Sequence, residues 1–146
     1  MTWKKLLDAN RVEFHVTSKQ ELDDLRSAVS RNLKDAAIVG LSADNKFSMS
    51  YESSLLVAKM TISAAGYRVK GLGAHQTTWT AMKLALGKEL AKTASYLDRC
   101  RRKRNELSYD SAGVVTAAEA AELLKEARKL KTMVDHWIAE NHPNLV

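Results

Sequence analysis

Five of the basic side chains stand within six residues, from Arg99 to Arg104, and they are the first candidates for a functional site. The formal net charge of the 146 residues is +6, so the rest of the chain carries only 6 − 5 = +1. Like charges on neighbouring helical turns repel and lower helix stability. The cluster is therefore consistent with a polyanionic partner, with an acidic patch on a protein, or with a solvated helix face.

Arg104 is the member of this cluster with the least expected position. At 100° per residue Arg104 falls near the centre of the apolar stripe of its predicted helix. This stripe consists of Leu86, Leu90, Thr93, Leu97 and Cys100. On the same wheel Arg101 lies at the border of the stripe, whereas Arg99, Arg102 and Lys103 point away from it. An arginine on a core-facing stripe is costly unless it is paired or opens into a cleft.

Two interpretations of Arg104 stay open. In the first, its side chain extends to water or to the last carbonyls at the end of the helix. In the second, it stands in a polar groove and binds a phosphate of RNA or of a nucleotide. Asn105, Tyr109 and Asp110 follow on the adjoining turn and complete this candidate phosphate site, together with Arg101, Arg102 and Lys103.

The composition favours helices, since Ala, Leu, Lys and Glu dominate and there is only one proline. Apolar residues recur at helical spacing in five segments, which predicts helices over about 18–40, 42–65, 75–87, 88–107 and 116–141. Ser18 with Glu21 and Thr116 with Glu119 have the spacing of capping boxes. We therefore predict an all-α, up-and-down bundle of four to five helices over residues 18–146, preceded by a short helix and linker over residues 1–17.

The segment from Gly66 to Ala74 contains three glycines and is predicted to be the clearest loop. Its Gly71-Leu72-Gly73 run could be interpreted as a phosphate-binding loop. That interpretation is disfavoured, because no strand is predicted before it and no Gly-Lys-Ser/Thr follows it.

Several classes of protein are disfavoured. No apolar run approaches the roughly 20 residues that span a bilayer, and Met1 to Lys5 lead into no hydrophobic signal core, so we expect a cytoplasmic protein. The single cysteine, Cys100, has no intramolecular partner, and no histidine pair has ligand spacing. We predict no metal site and no cofactor.

The segment Arg104-Asn105-Glu106-Leu107-Ser108-Tyr109-Asp110 resembles the signature of the HEPN superfamily, and the similarity extends over about residues 45–140. Ribonuclease members of that family place an arginine, often followed by asparagine, and a histidine at the end of a bundle helix. The resemblance implies that these residues meet across a homodimer and cleave RNA without a metal. It also implies homodimerisation of this chain.

Tyr109 stands at the position where the ribonucleases have histidine, and in this respect the chain is similar to a HEPN subgroup with an Arg-x4-Tyr-Asp motif. Tyrosine, with an ordinary pKa near 10, is a poor general base at neutral pH. His75 and His136 lie outside the motif. For His75, which opens the predicted helix over about 75–87, a capping or surface role is favoured over a functional one.

Three functions follow. The favoured one is binding of RNA or nucleotide phosphate without efficient ribonuclease activity, in a toxin-antitoxin or defence system. The second is an interaction module that partners a small nucleotidyltransferase, with Tyr109 as a hydroxyl that could accept a nucleotide. The third is a metal-independent endoribonuclease with Arg104 and Tyr109 as its catalytic candidates.

Overall fold

A computed structural model describes residues 1–109 and 114–146, with only the backbone for residues 108 and 109. Six α-helices and two short strands occur in these ranges. The helices are α1 (Trp3–Asp8), α2 (Lys19–Ala36), α3 (Ala43–Ala64), α4 (Ala74–Leu86), α5 (Ala91–Tyr109) and α6 (Ala117–Asn141), and the strands are β1 (Val12–Phe14) and β2 (Tyr67–Val69). The predicted all-α helical bundle is confirmed, with a small sheet added to it.

The helix starts lie where local capping residues predict them. The Ser18 hydroxyl accepts a hydrogen bond from the Glu21 amide, and Ser42 accepts one from the Asn45 amide. At α6, Thr116 and Glu119 form the complete capping box, with both hydrogen bonds present. At α2 the Glu21 carboxylate does not complete a capping box as Glu119 does at α6. It contacts His15 Nε2 at 2.7 Å and accepts a hydrogen bond from the Thr17 hydroxyl. Capping by residues three apart thus determines these boundaries.

Helix α3 forms the centre of the bundle and packs against α2, α4, α5 and α6. It is buried around much of its circumference, as expected for a helix inside a core, and small hydroxyl residues occupy several of the buried positions. Ser53, Ser54 and Thr61 donate to the carbonyls of Met49, Ser50 and Val57. These bonds satisfy the three hydroxyls within the helix itself, so neighbouring helices pack there without supplying polar partners. The buried Ser50 hydroxyl differs, because it has no hydrogen-bond partner among the described residues.

The two strands are the main departure from the predicted arrangement. β1 and β2 pair antiparallel, with Glu13 opposite Arg68. Residues 67–69 therefore form a strand within the segment predicted as loop, and β1 lies within the predicted N-terminal linker. Strands of three residues are too short to show alternation, and these two are far apart in sequence, so no local pattern could reveal their pairing.

A second small core lies beneath this sheet. Leu6 of α1 and Val12 of β1 are buried together with Ile62 of α3 and Ala81 of α4. On the same side Tyr67 stacks on Trp3, with ring centroids 4.0 Å apart. The first 17 residues thus pack onto the bundle through both strand pairing and apolar contacts.

Candidate functional site

Arg104 is directed towards α3 and is not among the freely exposed cations. One third of its side chain is exposed, its Nη2 lies 3.7 Å from Glu52 Oε2, and its Cζ lies 5.7 Å from the centre of the Tyr51 ring. The predicted inward position is therefore confirmed. The arginine is accommodated because a carboxylate balances its charge and the aromatic face attracts it.

His75 lies beside this arginine, a proximity that the sequence did not indicate. Its ring centre is 6.1 Å from that of Tyr51. Burial lowers the pKa of His75, and the charges of Arg104 and Arg101 lower it further, while Glu52 opposes the shift. The imidazole is therefore neutral at pH 7 and can accept a proton or donate a hydrogen bond.

We call Tyr51, Glu52, His75, Arg101 and Arg104 the inner cluster. The Arg101 side chain is 21 % exposed and its Nε donates to Asp98 Oδ1 at 2.8 Å. Its position at the border of the apolar stripe is as predicted. Three helices contribute to the cluster, since Tyr51 and Glu52 lie on α3, His75 on α4, and the two arginines on α5.

The floor of the inner cluster contains buried polar atoms without partners. Tyr51 is fully buried, and neither its hydroxyl nor Nε1 of the adjacent Trp79 makes a hydrogen bond within the described part of the chain. The two rings meet edge to face at 5.8 Å. Burial raises the pKa of Tyr51 to about 12, an effect that Trp79 and Arg104 partly oppose. The phenol therefore stays protonated at neutral pH.

The start of α4 adjoins the inner cluster, because His75 lies in its first turn. Gly73 is the N-cap of α4, with φ of 71°, and no side chain caps the first turn. His75 is the second residue of that turn, so the positive end of the helix dipole lies beside its ring. The expectation that no strand precedes Gly71-Leu72-Gly73 is wrong, because β2 ends at Val69. A Gly-Lys-Ser/Thr sequence is still lacking.

The outward cations line a second surface, which we call the outer groove. It lies between α4 and α5, encloses about 320 Å³, and is lined by Lys83, Arg99, Arg102, Ser95, Asp98 and Trp79, among others. Arg102 is 62 % exposed, as predicted, and reaches Asp98 at 3.9 Å. Arg99 is exposed and lies over the Tyr96 ring, with Cζ 5.8 Å from its centre.

Lys103 departs from its predicted outward direction. Only 31 % of its side chain is exposed, and its Nζ lies 3.7 Å from Glu119 Oε2 of α6. Four members of the basic segment thus have a carboxylate within 4 Å, from Asp98, Glu52 or Glu119. The last two come from other helices, so the charge of the cluster is balanced more fully than the sequence of α5 indicates.

The structure places Asn105 outside the inner cluster and leaves the side chains of two other predicted site residues outside what it describes. Asn105 is exposed. Tyr109 is the last residue of α5, its side chain is not described, and Asp110 lies outside the described residues. His136 lies on α6, where its Nε2 contacts Glu140 at 3.0 Å. The role of the Tyr109 hydroxyl as the acceptor of a nucleotide stays a prediction.

Cys100 is 5 % exposed, and burial raises the pKa of its thiol to about 11. Such a thiol is a weak nucleophile at neutral pH. Across residues 1–109 and 114–146, no three His, Cys, Asp or Glu side chains stand together as a group that could hold a metal ion. Among the described helices, none has the length and apolar character needed to cross a membrane.

No protein-family model, curated protein or solved structure matches this chain. Fold and geometry thus define the class of the protein, an α-helical bundle with a half-buried Arg-Arg-His cluster where α3, α4 and α5 meet.

Proposed function

We propose that this chain binds the phosphates of RNA or of a nucleotide at the inner cluster, through Arg101 and Arg104 with His75 beside them. The single observation that supports the proposal is the arrangement of these three side chains around Tyr51 and Glu52. Arginine presents several donors in one plane, which suits bidentate contact with a phosphate. Partial burial keeps water from screening the charges as it does at an open surface.

The ion pair with Glu52 does not compete strongly with such a ligand. The separation of 3.7 Å between Nη2 and Oε2 is longer than a hydrogen bond, and both side chains are partly exposed. Ion pairs of this kind contribute at most about 1 kcal/mol. A phosphate that accepts two hydrogen bonds from the guanidinium replaces the pair at small cost. The cations of the outer groove then provide a second, more exposed contact for the backbone of a strand.

Binding is tested with labelled single-stranded RNA in a fluorescence-anisotropy titration. Arg104→Ala should weaken binding by about tenfold to a hundredfold, the range for loss of a charge-assisted hydrogen bond. The matched control is Arg128→Ala, which removes the same charge from an exposed site on α6 and should change binding little. Circular dichroism establishes that both variants are folded. Equal affinity of Arg104→Ala and the wild-type protein would refute the proposal.

A second candidate function, metal-independent RNA cleavage, gains a specific observation. The sequence offered no general base near Arg104, but His75 lies beside it with a neutral imidazole at pH 7. Such a group can take the proton of a ribose 2′-hydroxyl as that oxygen attacks the adjacent phosphorus, and the resulting imidazolium can return a proton to the 5′-oxygen when its bond to phosphorus breaks. An arginine beside it stabilises the charge on the phosphate. Phosphate binding stays the favoured function, because it requires only the arginines.

Cleavage is tested by incubating purified protein with RNA in EDTA. If the chain is a ribonuclease, the wild-type protein and His136→Gln cleave, and both His75→Gln and Arg104→Ala are inactive. Residual activity that is the same in all four samples would identify a contaminating nuclease and count against this second function. Because His136 is exposed on α6, its variant controls for the loss of a histidine as such.

A further inference from the structure

An apolar groove adjoins the inner cluster and has no assigned role. It encloses about 240 Å³ between α3, β2 and the start of α4. Its walls are mainly apolar, with Leu55, Leu56, Ile62, Val69 and Ala74. Sites for drug-sized ligands measure roughly 300–1,000 Å³, so this groove suits a single flat ring system.

The groove is continuous with the inner cluster, because two residues belong to both. Glu52 and His75 line the groove, and both lie within the electrostatic reach of Arg104. A ligand ring in the groove would therefore place a negatively charged substituent next to Arg104 and Arg101. This combination of an apolar slot and neighbouring cations matches a molecule with a flat ring and a phosphate.

The other end of the groove is also basic. Lys59 and Arg68 line the groove, and Lys59 follows Glu52 by seven residues on α3, which is about 10 Å along the helix axis. Glu13 accepts hydrogen bonds from Arg68, whereas Lys59 interacts with the more distant charge of Glu21, so Lys59 is the more available of the two cations. A nucleotide within a strand carries a phosphate on each side of its sugar, and cations stand at both ends of this groove. A lipid tail would need a longer apolar slot and carries a charge at one end only.

The walls also offer contacts to a base. Tyr67 lines the groove and is held in place by two stacked rings, Trp3 at 4.0 Å and Phe14 at 5.5 Å between ring centres. Because these rings stack on Tyr67, the contact that it offers to a base is through the edge of its ring. The His75 ring lies at the end nearest Arg104. Aromatic rings that are already fixed lose little conformational entropy when a base packs against them.

We propose that the apolar groove receives one base of a single-stranded RNA whose flanking phosphates contact Arg104 on one side and Lys59 on the other. This inference rests on the proposed function, since it assigns the base to a nucleotide whose phosphate lies at the inner cluster. The groove selects unpaired bases, because a base within a duplex cannot leave its stack to enter a slot of this size without an energetic cost.

The test compares two labelled strands of equal length and charge, an oligoriboadenylate and an otherwise identical abasic strand. Binding of the abasic strand reports phosphate recognition, and the affinity ratio of the two strands reports base recognition. We expect the wild-type protein to prefer the strand with bases by about tenfold, as for one base contact. In Leu55→Trp, which fills the groove, this ratio should fall close to one while the affinity for the abasic strand is unchanged.

Two further variants keep the result interpretable. Ala74→Leu fills the groove from the opposite wall and should have the same effect, including in the event that Leu55→Trp fails to fold. Val39→Trp adds an indole at a position that is 99 % exposed and should keep the wild-type ratio. A ratio unchanged in both groove variants, or a wild-type ratio of one, overturns the base pocket and leaves phosphate binding intact. If neither strand binds the wild-type protein, the proposed function fails as well.

Discussion

The inner cluster and the outer groove hold arginines from the same helix, yet they differ in how those side chains are held. Arg101 and Arg104 are mostly covered and contact Asp98, Glu52 or the Tyr51 ring. Arg102 is 62 % exposed and Arg99 is exposed as well. A covered guanidinium has already lost part of its rotational freedom and is screened less by salt. The inner arginines should therefore determine specific binding and the outer ones the general attraction of a polyanion.

The largest expected effect is on RNA affinity, and it distinguishes the inner arginines, Arg101 and Arg104, from the outer ones, Arg99 and Arg102. Arg101→Gln with Arg104→Gln should weaken RNA binding by about a hundredfold, because two charge-assisted contacts are lost. Arg99→Gln with Arg102→Gln should weaken it by about tenfold at low salt and by less as the salt concentration rises. Anisotropy titrations over a series of salt concentrations measure both effects. Equal losses from the two double variants would mean that burial gives the inner pair no advantage.

The next effect concerns pH and the histidine of the inner cluster. His75 has a folded pKa below the 6.5 of an exposed histidine, because of burial and the charges of Arg104 and Arg101, against which Glu52 acts. Its neutral form therefore contributes stability that is present above about pH 6.5 and is lost as the pH falls through the lowered folded pKa. Urea unfolding at pH 7.5 and pH 5.5 should show a smaller acid-induced loss for His75→Gln than for the wild-type protein.

The exposed His136 provides the control for this measurement, since 77 % of its side chain is exposed. His136→Gln should lose as much stability at pH 5.5 as the wild-type protein does.

RNA binding should change with pH in the opposite direction to stability. A bound phosphate favours the protonated imidazole of His75, so RNA affinity should rise as the pH falls. An affinity that falls or stays constant between pH 7.5 and 5.5 would argue that His75 is remote from the ligand.

A smaller effect is expected at the acidic member of the inner cluster. Glu52→Gln removes the charge that balances Arg104 and should tighten RNA binding by about threefold, consistent with an exposed ion pair worth less than 1 kcal/mol. Glu122→Gln, at an exposed position of α6, is the charge-matched control. If the Arg104–Glu52 pair served only to join α5 to α3, Glu52→Gln would lower thermal stability and leave binding unchanged.

The smallest effect is expected on the free energy of unfolding, when the Tyr51 hydroxyl beneath the arginines is removed. The buried Tyr51 hydroxyl has no hydrogen-bond partner among the described residues, so Tyr51→Phe removes no bond. The free energy of unfolding should stay within about 0.5 kcal/mol of the wild-type value or rise slightly. Urea denaturation measures it. A loss of more than about 1 kcal/mol would show that the hydroxyl is bonded in solution, to water or to the Trp79 indole.

Much of the fold could be predicted because its determinants are local. The N-caps at Ser18, Ser42 and Thr116 act on amides three residues away, and the structure has α2, α3 and α6 beginning one residue after them. The position of Arg104 on its helix was predictable for the same reason, since helical periodicity depends only on spacing. The sheet was not, because β1 and β2 depend on a pairing between segments distant in sequence.

The sequence by itself determined the helices of the bundle, through the caps and the apolar spacing within each segment. It also determined the clustering of cations on α5 and the inward direction of Arg104, which follow from spacing along that one helix. Only the tertiary structure decided what surrounds that arginine. Glu52 and Tyr51 approach it from α3 and His75 from α4, and Glu119 approaches Lys103 from α6. Charge balance and pKa depend on neighbours within a few ångströms in space, and the packing of helices sets those distances.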